Sequence, residues 1–131
     1  MIPAMKIQDE LKSYNKTVLD HFENPRNVGS LSKPTWVVTA ENPGCQDLVK
    51  LAVHIDQGIV KAARVKIMGC TVAIASASAL TVLVEGKKVS ELATITADTL
   101  VQALGGLPEH KIRCTGAPLS ALKKLLEKIP A

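Results

Sequence analysis

Aromatic residues are almost missing from this chain of 131 residues: Tyr14, Phe22 and Trp36 are the only three. Single-stranded nucleic acid binds by stacking on aromatic faces, so that ligand class is excluded. The formal charge of +4 comes from scattered lysines and arginines, without the clustered stripe of a nucleic-acid binder. A mildly basic surface of this kind is ordinary solvated charge, and it can attract an acidic protein partner. The chain also lacks a Gly-x-Ser-x-Gly nucleophile elbow and a glycine-rich phosphate loop. Residues 1–10 hold no apolar segment of the secretory kind. The uncharged run 67–84 reaches the lower edge of a membrane span. It is interrupted by Gly69, Cys70, Thr71, Ser76, Ser78 and Thr81 and has no flanking aromatic belt, so a buried helix is predicted and no membrane partner.

What is present suits one domain. Hydrophobic residues make up 47%, enough for a core that must be aliphatic and closely packed. A short arm over 1–8 and a single domain over 9–131 are expected, with no repeat or linker. Leu11, Tyr14, Val18 and Phe22 recur at helical spacing and predict a helix over 9–22, broken by Asn24-Pro25. His21, late in that helix, is placed to cap it. Strands are predicted over 36–40, 48–56 and 59–68. In the second, Val49, Leu51, Val53 and Ile55 share one face while His54 lies on the wet one. Asp56-Gln57-Gly58 reads as the hairpin turn between the last two strands. Helices follow over 71–84, 89–93 and 97–104, and a last one has Pro118 in its first turn. Leu119, Leu122, Leu125, Leu126 and Ile129 form its apolar stripe. The fold class is therefore α+β: a small three-stranded antiparallel sheet packed with helices.

The three cysteines are Cys45, Cys70 and Cys114, separated by 25 and 44 positions. No two form a CxxC pair, and an odd number cannot all pair into internal disulfides. Unpaired thiols and no export signal predict a reducing, cytoplasmic setting. A cysteine outside a disulfide is commonly a small buried hydrophobe. Three at three turns, two of them beside glycine, also suit a shared metal or iron–sulfur site. Asp47 stands two residues from Cys45, so in an extended segment both project to one side. Cys70 lies between a strand and a helix, where the helix N-terminus favours thiolate. Gly69 is expected to leave room beside its sulfur. Cys114 follows Arg113, whose charge favours its thiolate, and His110 is the one histidine near a cysteine in sequence. The spacings match no zinc-finger rule. The expectation is spatial: the three sulfurs meet at one surface pocket with Asp47 pointing in.

Residues 14–29, Tyr-Asn-Lys-Thr-Val-Leu-Asp-His-Phe-Glu-Asn-Pro-Arg-Asn-Val-Gly, resemble the opening of the IscU/NifU-type iron–sulfur cluster assembly scaffolds. Cys45-Gln46-Asp47 resembles that family's Cys-Gly-Asp. Gly69-Cys70 followed by Ala73-Ile74-Ala75-Ser76-Ala77-Ser78 resembles its Gly-Cys and small-residue helix, and Lys111-Ile112-Arg113-Cys114 the stretch around its last cysteine. The four motifs come in order over about 10–128.

The resemblance implies the IscU/NifU N-terminal-like fold and a scaffold role, not a turnover enzyme. A cysteine desulfurase would supply persulfide sulfur, iron would join it, and a transient [2Fe–2S] cluster would pass to apo iron–sulfur proteins. A frataxin-like iron donor and an Hsp70-type chaperone are further implied partners. The family ligands carry over to Cys45, Asp47, Cys70 and Cys114, with Cys114 as persulfide acceptor. Arg113 would neutralise cluster charge. Zn²⁺ is expected on the same groups after aerobic purification. The chain departs from the family in three places. Gln46 replaces glycine. Arg113 stands where many scaffolds have a histidine ligand. Leu107-Pro108-Glu109-His110-Lys111 only partly matches the chaperone site. In its basic residue the chain resembles the SufU-type zinc-dependent sulfur acceptors, although it lacks their insertion between the second and third cysteines. The alternatives are thus a zinc-bound sulfur acceptor and, further off, a structural zinc domain.

Overall fold

A computed structural model of the chain describes residues 14–42 and 47–129. The arm over 1–8, the start of the predicted first helix at 9–13, the Pro43-Gly44 turn, Cys45 and Gln46 lie outside the described residues.

Helix α1 spans Lys16–Glu23, and Tyr14 and Asn15, which the periodicity places in helix, lie before it. Its start is fixed by Asn15, whose Oδ1 accepts the Val18 N–H at 2.9 Å. This is the side-chain cap that satisfies an orphan amide in a first turn. Asn15 also donates to the Gly106 carbonyl at 3.0 Å, so the start of α1 is tied to the Gly105-Gly106 turn. Both glycines there take positive φ, 77° and 108°. His21 does not cap α1. Its Nδ1 is 2.7 Å from Ser78 Oγ, which joins α1 to the central helix.

The loop after α1 explains why residues 24–29 read as a motif. Arg26 N–H donates to Ser78 Oγ at 2.8 Å, and Asn27 Nδ2 donates to Thr81 Oγ1 at 3.1 Å. Asn27 takes φ 57°, its carbonyl accepts from Val65 N–H, and Gly29 N–H donates to the Val65 carbonyl. Asp20 and Arg26 form an ion pair across the same corner. The motif thus stitches α1 to the sheet and to the central helix.

Strands β1 (Trp36–Asn42), β2 (Asp47–Asp56) and β3 (Ile59–Met68) form an antiparallel sheet in the order β1-β2-β3. The predicted meander is found, with β1 two residues longer than expected. Asn42 pairs with Asp47 at one end, and Leu48 pairs with Met68. Gln57 and Gly58 both take positive φ in the β2–β3 turn, which matches the right-handed twist of a two-residue hairpin. A bulge near His54/Ile55 leaves Lys61 as the extra residue and turns Val60 inward. His54 is exposed, as predicted.

The inner face carries Val38, Ala40, Val49, Leu51, Val53, Ala63 and Val65, all buried. Helix α2 (Thr71–Val84) packs across β3, and α4 (Gly116–Lys128) packs across β1. Helix α2 is buried nearly all round, with Ala73, Ala75, Ala77 and Ala79 letting its neighbours come close. On α4, Leu122 and Leu125 are buried, and Leu119, Leu126 and Ile129 are partly covered. Each full side chain of this size contributes roughly 1.5–3 kcal/mol of burial. A 3₁₀ helix over Val89–Thr94 and helix α3 (Ala97–Ala103) close the open end. Among the described residues no helix is long and apolar enough to cross a membrane.

Candidate functional site

Three places meet at one end of the sheet: the paired residues Asn42 and Asp47 where β1 ends and β2 begins, the β3–α2 turn, and a 3₁₀ helix over Glu109–Thr115. The last two carry Cys70 and Cys114. Asp47 opens β2 and is only 1% exposed. Its Oδ1 accepts the Cys70 N–H at 3.2 Å. Its Oδ2 is buried with no hydrogen-bond partner among the described residues. Burial pushes the Asp47 carboxyl above its usual range, and the Cys70 N–H pulls the other way. A buried acceptor atom without a partner is costly. It is also what a ligand oxygen awaiting a cation looks like.

Gly69 makes this arrangement possible, though not in the way the sequence suggests. The space at Gly69 belongs to the Asp47 carboxylate and not to a sulfur. A Cβ there would lie 2.5 Å from Asp47 Oδ1. Cys70 is the N-cap of α2, in extended conformation, and its carbonyl accepts the Ile74 N–H at 3.0 Å. The predicted strand–cysteine–helix junction is therefore present, and Cys70 is half-buried there.

Cys114 differs from expectation. It sits inside the 3₁₀ helix instead of an open turn, and is only 4% exposed. Its side chain belongs to the aliphatic core, against which Cys70 also packs. The apolar run of Ala117, Ala121 and Leu122 on α4 draws this short helix inward. Cys70 and Cys114 are both thiols. Arg113 and His110 are exposed. Among the described residues no three His, Cys, Asp or Glu side chains stand close enough to hold one metal ion. Asp47, Cys70 and Cys114 are thus brought to one end of the molecule without forming a closed ligand set. Cys45 lies outside the described residues.

Asn42 is the residue the sequence reading missed. Its Nδ2 donates to the Arg113 carbonyl at 2.9 Å and packs against the Gly116 backbone. An asparagine directly before Pro43-Gly44 was the available signal, since asparagine commonly bonds nearby backbone at turns.

Beside the site the otherwise polar outer sheet face carries two apolar side chains. Leu48 and Met68 are exposed, Met68 by 71%, and with Thr39, Lys50, Lys66 and Ile67 they line a shallow depression.

Residues 13–131 match the family model described as the NifU-like N terminal domain. The iron–sulfur cluster assembly scaffold protein IscU of Aquifex aeolicus is 41% identical over 111 residues, 83% of this chain and 71% of that one. The scaffold protein IscU 1 of Archaeoglobus fulgidus is 36% identical over 113 residues, covering 86% and 74%. A NifU-like N-terminal protein of Brucella abortus superposes with a TM-score of 0.70 over 89% of this chain and 96% of that one. At 21% identity that likeness speaks for the fold.

Proposed function

Because the chain belongs to the family of NifU-like N-terminal domains, we propose that it is a scaffold on which an iron–sulfur cluster is assembled and from which it is delivered. The cluster is cargo, and the protein is a carrier and not a turnover enzyme. Relatives named as assembly scaffolds support this reading. One observation of this chain carries it: a buried carboxylate, Asp47, is held by the amide of Cys70 with its second oxygen unpartnered.

The ligand set we propose is Cys45, Asp47, Cys70 and Cys114. Thiolates are the usual ligands of iron–sulfur clusters. One harder, less donating carboxylate among them favours release over storage. A [2Fe–2S] cluster fits four such ligands, and Zn²⁺ accepts the same three sulfurs and one oxygen tetrahedrally. The partners that follow are a sulfur donor of the cysteine desulfurase kind and the apo-proteins that receive the cluster. A frataxin-like iron donor and an Hsp70-type chaperone remain expectations of the family resemblance. In the sulfur step the Cys114 thiolate attacks the outer sulfur of the donor's persulfide. A new S–S bond forms on Cys114, and the donor cysteine leaves as thiolate. Cys114 is buried, so its 3₁₀ helix must open for this step. The thiols of Cys70 and Cys114 support a reducing, cytoplasmic setting.

Arg113 favours a second reading. Arginine cannot ligate, and a basic residue in place of the histidine is the feature in which the chain resembles the zinc-bound sulfur acceptors. One experiment separates the two. The metal-free protein is incubated anaerobically with desulfurase, cysteine and Fe²⁺, and iron, sulfide and zinc are counted alongside the visible spectrum. A bound [2Fe–2S] chromophore is expected. Retained zinc with stimulated desulfurase turnover would establish the sulfur acceptor instead. Inertness in both assays would leave a structural domain.

A further inference from the structure

Asn42 ends β1, and Asp47 opposite it begins β2, so the four residues that include Cys45 are bounded by a paired couple. Each of those two residues also reaches a different cysteine segment. Asp47 Oδ1 takes the Cys70 N–H at 3.2 Å, and Asn42 Nδ2 gives a hydrogen bond to the Arg113 carbonyl at 2.9 Å. The same carbonyl accepts the Gly116 N–H, which closes the 3₁₀ helix that holds Cys114. Gly116 is closely approached as well, though less tightly than Gly69. A Cβ there would stand 2.8 Å from Asn42 Nδ2 and 3.4 Å from its Cγ. The chain therefore has a glycine where the Asn42 side chain reaches the Cys114 segment.

We propose that Asn42 positions the Cys114 segment against the end of β1, and so controls how tightly the site grips its load. This rests on the scaffold reading, in which Cys45 and Cys114 are both ligands. Asn42 itself is a positioning residue: its amide is spent on a backbone carbonyl and does not touch the load. The bond has the character of an outer-shell contact, in which a neighbour fixes where a ligand stands. Loss of such contacts typically costs 10–100-fold in metal affinity. Asparagine suits the task because its side chain is short and one amide hydrogen can point at the carbonyl. Aspartate has the same shape but offers oxygen to oxygen.

The test uses the full chain, metal-free and anaerobic, titrated with Co²⁺. Thiolate-to-cobalt charge-transfer absorption counts the sulfurs bound. The wild type is expected to show three thiolates per cobalt. Asn42→Asp is expected to bind at least about tenfold more weakly, with less charge-transfer intensity per cobalt. Two further variants guard against a mere folding defect. Gly116→Ala should weaken binding in the wild-type background and have no further effect beside Asn42→Ala, where the side chain it would strike is gone. Alkylation followed by mass spectrometry reads the metal-free protein directly. Cys114 should react faster in Asn42→Ala than in wild type, with Cys70 unchanged. Wild-type cobalt affinity in Asn42→Asp, additive losses in the double variant, or an unchanged Cys114 alkylation rate would each overturn the inference. If the wild type itself shows no thiolate-to-cobalt band, the scaffold reading falls with it. If it does and the variants match it, only the role of Asn42 falls.

Discussion

Replacing Gly69 by alanine would place a methyl group 2.5 Å from Asp47 Oδ1, 3.0 Å from its Cγ and 3.1 Å from the Cβ of Ala73. Non-bonded carbon contacts settle near ~3.5 Å, so something must move by about 1 Å. Two movements are open. The Asp47 carboxylate can swing aside, which breaks its bond to the Cys70 N–H. Its other oxygen has no partner among the described residues, so nothing there offsets the loss. Alternatively the β3–α2 turn can shift outward and carry Cys70 with it. Overpacking of this kind costs about 1–3 kcal/mol. For a chain of this length that is a fall in Tm of roughly 3–12 °C. Thermal unfolding of metal-free Gly69→Ala, followed by circular dichroism, gives the first readout. Amide hydrogen exchange gives the second: the Cys70 N–H should exchange faster once its acceptor has moved. Within 1 °C or so of the wild-type Tm, with Cys70 protection unchanged, the packing argument for the site would be wrong.

Other expectations follow from the same geometry. Asp47→Ala should keep a reconstituted cluster longer, and unchanged transfer to an apo-ferredoxin would remove the releasing role of its carboxylate. His21 is held below the usual histidine range, first by burial and then by the Arg26 charge. Its folded-state pKa lies under its unfolded one, so the folded form binds fewer protons. The stability this brings is present above about pH 6.5 and is lost as pH falls through the folded pKa. Urea midpoints measured from pH 8 to 5 should therefore drop more for wild type than for His21→Gln, and parallel curves would refute this. Met68→Glu, at an exposed side chain, should leave the Tm near that of wild type, and a clear fall in thermal unfolding would show that Met68 packs against the sheet.

Period-two alternation revealed the sheet because its inner face is buried and its outer face is wet. Val49, Leu51 and Val53 against Lys50 and His54 could hardly pair otherwise. The run 71–84 was found to the residue, since Gly69 before it and Gly86 after it mark both ends. The apolar spacing runs through Tyr14 into the first helix without a break, whereas the Asn15 cap is a hydrogen bond and leaves no trace in hydropathy. The bulge at Lys61 was invisible for a similar reason: one inserted residue changes pairing, not composition. At the site, residue types suggested the chemistry, and the coordinates supplied what the types could not. Burial of Cys114, the claim of Asp47 on the space at Gly69, and the reach of Asn42 to Arg113 all depend on how distant segments settle together.

The paired couple Asn42 and Asp47, with its two side-chain tethers, bears on repeated use of the molecule. A carrier that has just surrendered its contents is at risk of losing the arrangement of the parts that grasped them. Here the segments of Cys70 and Cys114 are tied to the ends of β2 and β1 by a carboxylate on a backbone amide and a side-chain amide on a backbone carbonyl. On the scaffold reading, these tethers need no load to hold them, so the ends of β1 and β2 would stay joined to the Cys70 and Cys114 segments from one cycle to the next.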